Sequence, residues 1–401
     1  MRNPSNIDAF EPIARGVAQA GVRIANERAV LTLIAGLPGS SNADIARRSG
    51  LGPQTTARIL ADFEARGLVE RGQVLRGRRG QPATPYRLNP DGAFSIGVEI
   101  GWSHLEILLF SMGGRPVAAI RRSHDFPAVE RVFPQIAAEV GTLLAGLRPD
   151  QRARVVGIGL ATPGTLGRTL DRLGATPAQM RAWTETDMVA RVAADTGLET
   201  TWINDGNAAC WSQIVAQPAP RPGAFACFQI GTFVGGGVVS GGALWEGPTG
   251  NAADLGSIMV ADRAGRPSYA HLVASLYALR RRLAEAGFDP PPNPRHWPWP
   301  DWEPVVAGWI EEAGHALAQA VMSVRAIMEI DLALVDGELP RDVLERLLQA
   351  VRRHLAALPP LGHGLPRIGL GRVGSSAAAL GAAQLVLFRR YFSRPWDLFA
   401  S

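Results

Sequence analysis

One glycine-rich stretch, residues 228–257, restricts the fold of this 401-residue chain more than any other segment. It reads FQIGTFVGGGVVSGGALWEGPTGNAADLGS, an apolar run interrupted by Gly231, Gly235, Gly236, Gly237 and Gly241. Because glycine adopts positive φ and lets other atoms approach the backbone, the pattern predicts a strand, a tight turn and a second strand. The polar segment that follows contains Asn251, Asp254 and Ser257. The stretch therefore predicts a pocket for a small molecule.

Composition limits the class of protein. A hydrophobic content of 46% supports a sizeable core, and the length suits two or three domains. The sequence lacks an apolar run of the roughly 18 residues that span a bilayer, and MRNPSNIDAF has no apolar signal core. We therefore expect a cytoplasmic protein. Two cysteines, Cys210 and Cys227, cannot build a zinc cluster or a disulfide framework, and we expect both to be buried.

The positive charge is concentrated at the N-terminus. All 41 basic residues are arginine, which reflects composition bias and by itself indicates nothing about DNA. Residues 1–90, however, hold 13 arginines against 7 acidic residues, whereas the remaining 311 residues hold 28 against 29. This distribution predicts a polyanionic partner for the N-terminal region.

The same region has the order of a winged helix-turn-helix. Apolar spacing predicts a helix over 26–36, Asn42 is a suitable N-cap for a short helix that ends at Gly50, and a third helix begins at Gly52 and Pro53. Two strands with an arginine-rich tip then form a wing. The predicted DNA-contacting residues are Gln54, Thr55, Thr56 and Arg58 on the third helix and Arg76, Arg78 and Arg79 in the wing. The alternative is a protein-interaction domain with a solvated basic surface.

The rest of the chain alternates strands and helices. Three strands with a Gly-Gly turn are predicted over 94–120, a helix over 128–147, a buried strand over 155–160, a helix near 185–197 and a strand over 200–205. This alternation predicts an α/β fold with a largely parallel sheet, in which ligands bind at the carboxyl ends of strands. Asn204 and Asp205 follow such a strand. Asp205 can accept a hydrogen bond from a sugar hydroxyl or take its proton, or it can simply cap the next helix.

Several ordered motifs resemble the ROK family (repressor, open reading frame, kinase) of bacterial regulators and sugar kinases. They are GIGLATPG at 157–164, NDGNAA at 204–209, the glycine-rich stretch at 231–257 and SSAAALGAAQL at 375–385. The resemblance implies a winged helix-turn-helix followed by a two-lobed, actin-like, sugar-kinase-like domain of the ribonuclease H-like ATPase type. We expect an arm over 1–24, a DNA-binding domain over 25–90 and an effector-binding, dimerising domain over 91–401. Its lobes are expected at roughly 91–203 plus the C-terminal helix, and at 204–379.

Departures from the kinase pattern affect the nucleotide side. The stretch from Glu99 to Ser103, with the bulky Trp102, stands where kinases carry DxGGT. Phe233 stands in place of a glycine of the second phosphate loop, and Asp336 stands in place of a third glycine. A bulky or anionic side chain there opposes phosphate binding. We therefore expect no kinase activity and no catalytic residue, with Asp205 the retained counterpart of the kinase base.

The sugar side also departs from the family. Asp254 replaces a glutamate, Ser257 replaces a histidine that ligates zinc in relatives, and the cysteine-rich zinc loop is missing. We expect no metal, no cofactor and a surface or capping role for His271. The predicted effector-binding residues are Thr162, Gln179, Asn204, Asp205, Asn251, Asp254 and Ser257. A Pro- and Trp-rich segment at 290–304 is expected to be a packed loop or a lid over the cleft.

Together these features predict a DNA-binding transcriptional regulator, a repressor of carbohydrate uptake or catabolism genes. It would bind a pseudo-palindromic double-stranded operator as a homodimer or tetramer and respond to a sugar or sugar derivative. Two alternatives stay open: a sugar kinase with an accessory DNA-binding arm, and a scaffold that works through protein contacts.

Overall fold

The computed structural model describes residues 19–73, 84–164, 170–291, 293–359 and 364–393. The N-terminal domain has the predicted winged-helix order. Its elements are α1 (Gln19–Gly36), β1 (Ser40–Ser41), α2 (Asn42–Ser49), α3 (Pro53–Ala65), β2 (Val69–Arg71) and β3 (Pro85–Leu88). The three strands form one antiparallel sheet in the order β1-β3-β2. The first helix begins earlier than the residue 26 expected from apolar spacing.

Local capping explains where these helices begin and end. Ser41, not the predicted Asn42, is the N-cap of α2: its Oγ accepts a hydrogen bond from the backbone N–H of Asp44, whose carboxylate accepts one from the N–H of Ser41. Gly50 ends α2 in the left-handed conformation, as predicted. Pro53 occupies the first turn of α3, where its missing N–H costs nothing.

The first lobe of the following domain is built on a mixed sheet. Its elements are β4 (Phe94–Ile100), β5 (His104–Ser111), β6 (Pro116–Ser123), α4 (Val129–Ala145), α5 (Pro149–Arg152), β7 (Val155–Thr162), α6 (Pro177–Glu185), α7 (Met188–Thr196) and β8 (Thr200–Asn204). The strand order is β6-β5-β4-β7-β8. The two hairpins are antiparallel, and only β4, β7 and β8 run parallel. The expectation of a largely parallel sheet is therefore wrong here, because short turns can join only antiparallel neighbours.

The second lobe repeats this plan. It contains α8 (Asp205–Ala216), β9 (Ala224–Ile230), β10 (Val234–Ser240), β11 (Ala243–Leu244), β12 (Met259–Ala261), β13 (Pro267–Tyr269), α9 (Ala270–Val273), α10 (Leu276–Glu285), α11 (Glu303–Met328), β14 (Leu332–Gly337), α12 (Arg341–Ala356) and β15 (Arg367–Leu370), and the C-terminal helix α13 (Ala377–Tyr391) follows. Its main sheet has the order β11-β10-β9-β14-β15, parallel only from β9 to β15. Trp297, Trp299 and Trp302 of the Pro- and Trp-rich segment are buried in this lobe's core, which supports a packed loop rather than a lid.

The C-terminal helix α13 connects all three parts of the molecule. It packs closely against β4 at Gly97, where a Cβ would overlap the carbonyl of Ala379, and against α8, where a Cβ on Gly381 would overlap the carbonyl of Ala208. Its Leu387 joins the hydrophobic core of the winged helix. The helix α13 therefore packs against the first lobe, the second lobe and the N-terminal domain.

Among the described residues, no helix has the length and hydropathy needed to cross a membrane. Cys210 and Cys227 are both buried with free thiols, as expected.

Candidate functional site

A cleft of about 430 Å³ lies between the two lobes, at the ends of β4, β7, β8 and β9. Its polar lining includes Asn204, Asp205, Asn251, Asp254 and Ser257, five of the seven residues predicted to bind the effector. The strand-end rule for α/β sheets therefore located the cleft correctly even though the sheets are mixed.

Asn204 and Asn251 form one end of the cleft. The side-chain oxygen of Asn204 caps α8 by accepting from the N–H of Asn207 at 3.1 Å, and its amide nitrogen donates to Oδ1 of Asn251 at 2.9 Å. Asn207 in turn donates to the backbone carbonyls of Gly250 and Ala252, each at 3.2 Å. These bonds hold the loop that carries Asn251 against the start of α8, so the amides are fixed before a ligand arrives.

Asp205 follows the cap and faces the cleft. The N-cap is Asn204, so the capping alternative for Asp205 is wrong; its Oδ1 accepts from the N–H of Gly206 at 2.8 Å. Burial, followed by the nearby charges of Glu99 and Asp254, raises the pKa of Asp205 from 3.8 to about 7. Asp205 is therefore present in both protonation states near neutral pH, and it can donate or accept a hydrogen bond.

Asp254 and Ser257 also line the cleft. The hydroxyl of Ser257 donates to Oδ2 of Asp254 at 2.6 Å. His271 lies beside them: it is half-buried and part of the cleft lining, a position that the sequence did not indicate. The chain brings this imidazole in from α9, because the hydrogen bond from Ala270 N–H to the Ile258 carbonyl places α9 beside the loop.

Two predicted effector residues lie elsewhere. Thr162 is fully buried, and its hydroxyl accepts from the indole N–H of Trp202 at 2.7 Å. Gln179 lies on α6, where its side chain accepts from the N–H of Thr176 in a capping box. Neither residue lines the cleft. Both residues were predicted from their position in the chain. The alternation of side chains along β7 turns Thr162 inward, and the side chain of Gln179 is engaged in the helix cap.

Aromatic residues fill the part of the cleft where the resemblance expects bare phosphate loops. Trp102 from the first lobe and Phe233 from the second meet edge to face, with ring centroids 5.2 Å apart. Phe233 also lies 5.7 Å from His271, which lies 5.8 Å from Tyr269. The sequence indicated that Trp102 and Phe233 would each hinder phosphate binding, but it gave no sign that they touch.

A buried charge cluster lies behind Trp102. Nε2 of His104 is 3.3 Å from Glu99, and its Nδ1 is 3.3 Å from Glu338. Arg121 is 2.5 Å from Glu106 and 2.9 Å from Glu338. Glu99, His104 and Glu106 have the spacing of a possible metal site. The guanidinium group of Arg121 already balances the charge of Glu106, however, which disfavours a cation in the same place.

Asp336 does not enter the cleft. It is buried, and its carboxylate accepts hydrogen bonds from the N–H groups of Gly337 at 2.9 Å and Gly374 at 2.7 Å and from the amide of Gln213. The expectation that Asp336 repels a nucleotide directly is therefore wrong, because these bonds hold it among β14, α8 and the turn before α13. Its role is to fix that turn.

The N-terminal domain presents a second candidate surface, the start of α3. Gln54 and Arg58 are exposed and Thr55 is partly exposed. Thr56 is fully buried and its hydroxyl donates to the Gly52 carbonyl at 3.2 Å, so it cannot contact DNA as predicted. The wing residues Arg76, Arg78 and Arg79 lie outside the described residues.

Known families and relatives match both parts of the chain. A model described as the ROK family matches residues 95–389, and one described as the MarR family matches residues 23–80. The protein y4fQ of Sinorhizobium fredii is 28% identical over 370 residues, 92% of this chain and 92% of the relative. An N-acetylmannosamine kinase of Shigella boydii is 23% identical over 274 residues, 67% of this chain and 90% of the kinase.

Solved structures share the fold. A ROK family transcriptional regulator, a homolog of the E. coli MLC protein, aligns with a TM-score of 0.69 at 19% identity, covering 92% of this chain and 97% of the regulator. A ROK family glucokinase from Streptomyces griseus, in complex with glucose and AMPPNP, aligns with a TM-score of 0.57 at 20% identity, covering 73% of this chain and 99% of the kinase.

Proposed function

The chain belongs to the ROK family and has a MarR-like winged helix at its N-terminus, and we propose that it is a DNA-binding transcriptional regulator. The observation that carries the proposal is the start of α3, where Gln54, Thr55 and Arg58 reach the surface in a region with nearly twice as many arginines as acidic residues. An amide, a hydroxyl and a guanidinium group at the N-terminal end of a recognition helix suit base edges and phosphates in a major groove.

The cleft is proposed to bind a sugar or a sugar-derived effector. The fixed amides of Asn204 and Asn251 and the carboxylates of Asp205 and Asp254 offer the acceptors and donors that hydroxyl groups need. Binding would change the angle between the lobes, and α13 would pass that change to the winged helix. The regulator responds only to the extent that the effector binds the two arrangements with different affinity.

The proposed organisation is an N-terminal DNA-binding domain over residues 25–90 and an effector-binding, dimerising domain over 91–401. A symmetric homodimer would place two copies of α3 on a pseudo-palindromic operator. We propose that the protein acts as a repressor in the cytoplasm, where that operator is found.

A sugar kinase is the alternative that one observation favours. Asp205, with its pKa near 7, suits a general base that takes a proton from a sugar hydroxyl. Against it, Trp102 and Phe233 together occupy the side of the cleft where phosphates would need bare backbone N–H groups. Because phosphoryl transfer depends on positioning and charge stabilisation of the phosphates, a base alone is insufficient. We therefore propose that the protein is not an enzyme.

The test combines DNA selection with a kinase assay. Full-length protein is used to select duplexes from a random pool, and the winning sequence is titrated against wild type, Arg58→Ala and, as a matched control, Arg281→Ala on α10. A selected sequence bound tightly by wild type and control but at least tenfold more weakly by Arg58→Ala supports the regulator. Failure to select any sequence, together with ATP-dependent phosphorylation of glucose or N-acetylmannosamine that Asp205→Asn abolishes, would establish the kinase instead.

A further inference from the structure

We propose that the effector is an unphosphorylated sugar derivative that carries an apolar substituent, an aryl or alkyl glycoside, with its sugar at Asn204 and Asn251 and its substituent against Trp102 and Phe233. The proposal rests on the proposed function of the cleft as an effector site. It adds the chemical class of the effector, which follows from the way the cleft is divided into a polar and an aromatic part.

The aromatic part is a continuous wall of four rings, Trp102, Phe233, His271 and Tyr269. Each ring lies within 6 Å of the next, centroid to centroid. Trp102 and Phe233 remain partly exposed to the cleft, and Tyr269 is 45% exposed. Covering solvent-exposed aromatic surface with an apolar group lowers the free energy of the complex, because that surface is removed from water.

The polar part of the cleft lies close enough to the aromatic part for one ligand to contact both parts. Gly206, next to Asp205, packs so tightly on Gly236 that a Cβ there would overlap the backbone. Phe233 precedes Gly236 by three residues, which an extended chain covers in about 10 Å. The whole cleft of about 430 Å³ is within the ~300–1,000 Å³ range of small-molecule pockets. A sugar with a ring-sized substituent therefore spans the distance.

The charges of the lining disfavour a phosphorylated effector. Glu99 and Glu338 are balanced by His104 and Arg121, but other carboxylates also face the cleft: Asp171, Asp205 and Asp254. Among the described lining residues, Arg172 is the single arginine. Burial lowers the pKa of His271, so its imidazole is neutral at physiological pH and adds no positive charge. A dianionic phosphate would be repelled by Asp171 and Asp254, and it would further oppose ionisation of Asp205, whereas an uncharged substituent meets no such cost.

The charges of the cleft lining also favour a glycoside over a nucleotide as the effector. An adenine ring could also stack on Trp102 and Phe233, but its phosphates would bring several negative charges into a cleft that Asp171 and Asp254 also line. An uncharged aryl or alkyl group meets the aromatic wall without this penalty, and it leaves the fixed amides free for the sugar hydroxyls.

The experiment measures affinity for matched sets of ligands by isothermal titration calorimetry on the full-length protein. Each set contains a free sugar, its phenyl glycoside in both anomeric forms and its 6-phosphate, for glucose, galactose, mannose and N-acetylglucosamine; ATP is titrated separately. For at least one sugar, the phenyl glycoside is expected to bind about tenfold more tightly than the free sugar, since an aromatic contact contributes up to about 1.5 kcal/mol. The 6-phosphate is expected to bind more weakly than the free sugar.

Two variants test whether the apolar substituent of the effector lies against Trp102 and Phe233. Trp102→Leu and Phe233→Leu keep an apolar side chain while the ring is lost, and urea unfolding of each variant checks that the fold is retained. Each is expected to reduce the preference for the phenyl glycoside to about twofold, where the preference is the ratio of glycoside affinity to free-sugar affinity in the same variant. Trp245→Leu is the matched control, because Trp245 is 55% exposed and lies outside the cleft lining; it should keep the full preference.

The outcomes distinguish this inference from the proposed function. A free sugar or a sugar phosphate that binds as tightly as the best glycoside and shifts operator affinity would overturn the glycoside and leave the regulator standing. Absence of binding across the whole panel would also overturn the inference, while operator binding by the same preparation would still support regulation. Operator binding that fails together with every titration would overturn both.

Discussion

Arg121 and Glu338 join the two lobes across the cleft although they are 217 residues apart in the chain, with 2.9 Å between Nη2 and Oε1. Arg121 lies on β6 of the first lobe, and Glu338 follows β14 of the second. The same carboxylate oxygen is 3.3 Å from Nδ1 of His104. Burial opposes the charged imidazole, but the carboxylates of Glu99 and Glu338 outweigh it and raise the pKa of His104. Glu338 therefore contacts two groups of the first lobe, Arg121 and His104.

Replacing Glu338 by glutamine should weaken this closure. The change removes the carboxylate that pairs with Arg121 between the lobes, while Arg121 keeps Glu106 and His104 keeps Glu99. We therefore expect a loss of about 1.5–3 kcal/mol in unfolding free energy, the contribution of one hydrogen bond to a charged group. Urea unfolding measures the loss, and hydrogen exchange should be faster at the end of β14. Glu345→Gln is the matched control: Glu345 pairs with Arg341 on the surface, at 56% and 62% side-chain exposure, and its loss should cost less than about 0.5 kcal/mol. Equal losses in both variants would contradict the closure.

Asp205 should make stability depend on pH. Its pKa is raised from 3.8 in the unfolded chain to about 7 in the folded protein, so the folded state binds more protons between these values. Stability from this group is fully present below pH 4, declines as pH rises towards 7 and is constant above it. Asp205→Asn removes the titrating group, so the variant should lose less stability than wild type between pH 5 and 8, as measured by urea unfolding.

Comparing the unfolding free energy of wild type with that of Asp205→Asn separates the effect of Asp205 from that of the other titratable groups. Burial lowers the pKa of His124 to about 4, and this acts in the opposite direction, because its stability contribution grows as pH rises from 4 to 6.5. Both proteins contain His124, so its contribution cancels. The exposed Asp289 provides a second comparison, since Asp289→Asn should keep the wild-type pH dependence. If the unfolding free energy of Asp205→Asn changed with pH as steeply as that of wild type, the pH dependence would not come from Asp205.

Local patterns and long-range contacts differed in how well the sequence predicted them. Hydrophobic alternation and turn glycines predicted β4, β5 and β6, and the strand-end rule placed Asn204 and Asp205 in the cleft, because these signals depend on neighbouring residues. The contact between Trp102 and Phe233 joins segments 131 residues apart in the sequence, and no local pattern encodes it. Thr162 was misassigned because the direction of a side chain in a buried strand depends on the pairing register.

Substitutions at Thr56 and Arg58 should affect different properties although both residues lie on the same turn of α3. The first should lower stability, and the second should weaken DNA binding. Thr56→Ala removes a buried hydroxyl and its bond to the Gly52 carbonyl, so it should lower the unfolding free energy by about 1 kcal/mol. Arg58→Ala removes an exposed side chain and should leave stability unchanged. It should instead weaken operator binding and reduce the salt dependence of log affinity by about one unit. The opposite assignment, with Thr56→Ala weakening DNA binding in a fully folded protein, would place Thr56 at the interface.

Arg28 connects the DNA-binding domain to the helix that reaches the cleft. Its guanidinium group donates to the carbonyl of Arg389 at 2.8 Å and to that of Arg390 at 3.4 Å, at the C-terminal end of α13. The other end of α13 begins at the cleft, where Ala378 is part of the lining. A shift of α13 on effector binding would therefore displace α1. Arg28→Ala should keep operator affinity within about twofold but reduce the change that an effector causes, since coupling needs a contact that differs between two states.

The measurement compares operator affinity with and without effector for wild type, Arg28→Ala and Arg23→Ala. Arg23 is the matched control because it lies on the same helix, is 67% exposed at its side chain and pairs with Glu27 rather than with α13. Hydrogen exchange of α1 provides a readout that does not depend on the effector's identity: Arg28→Ala should accelerate it, and Arg23→Ala should not. If Arg28→Ala retains both full coupling and slow exchange, the signal does not pass through the C-terminal end of α13, and the contacts of Leu387 with the core of the winged helix become the route to test.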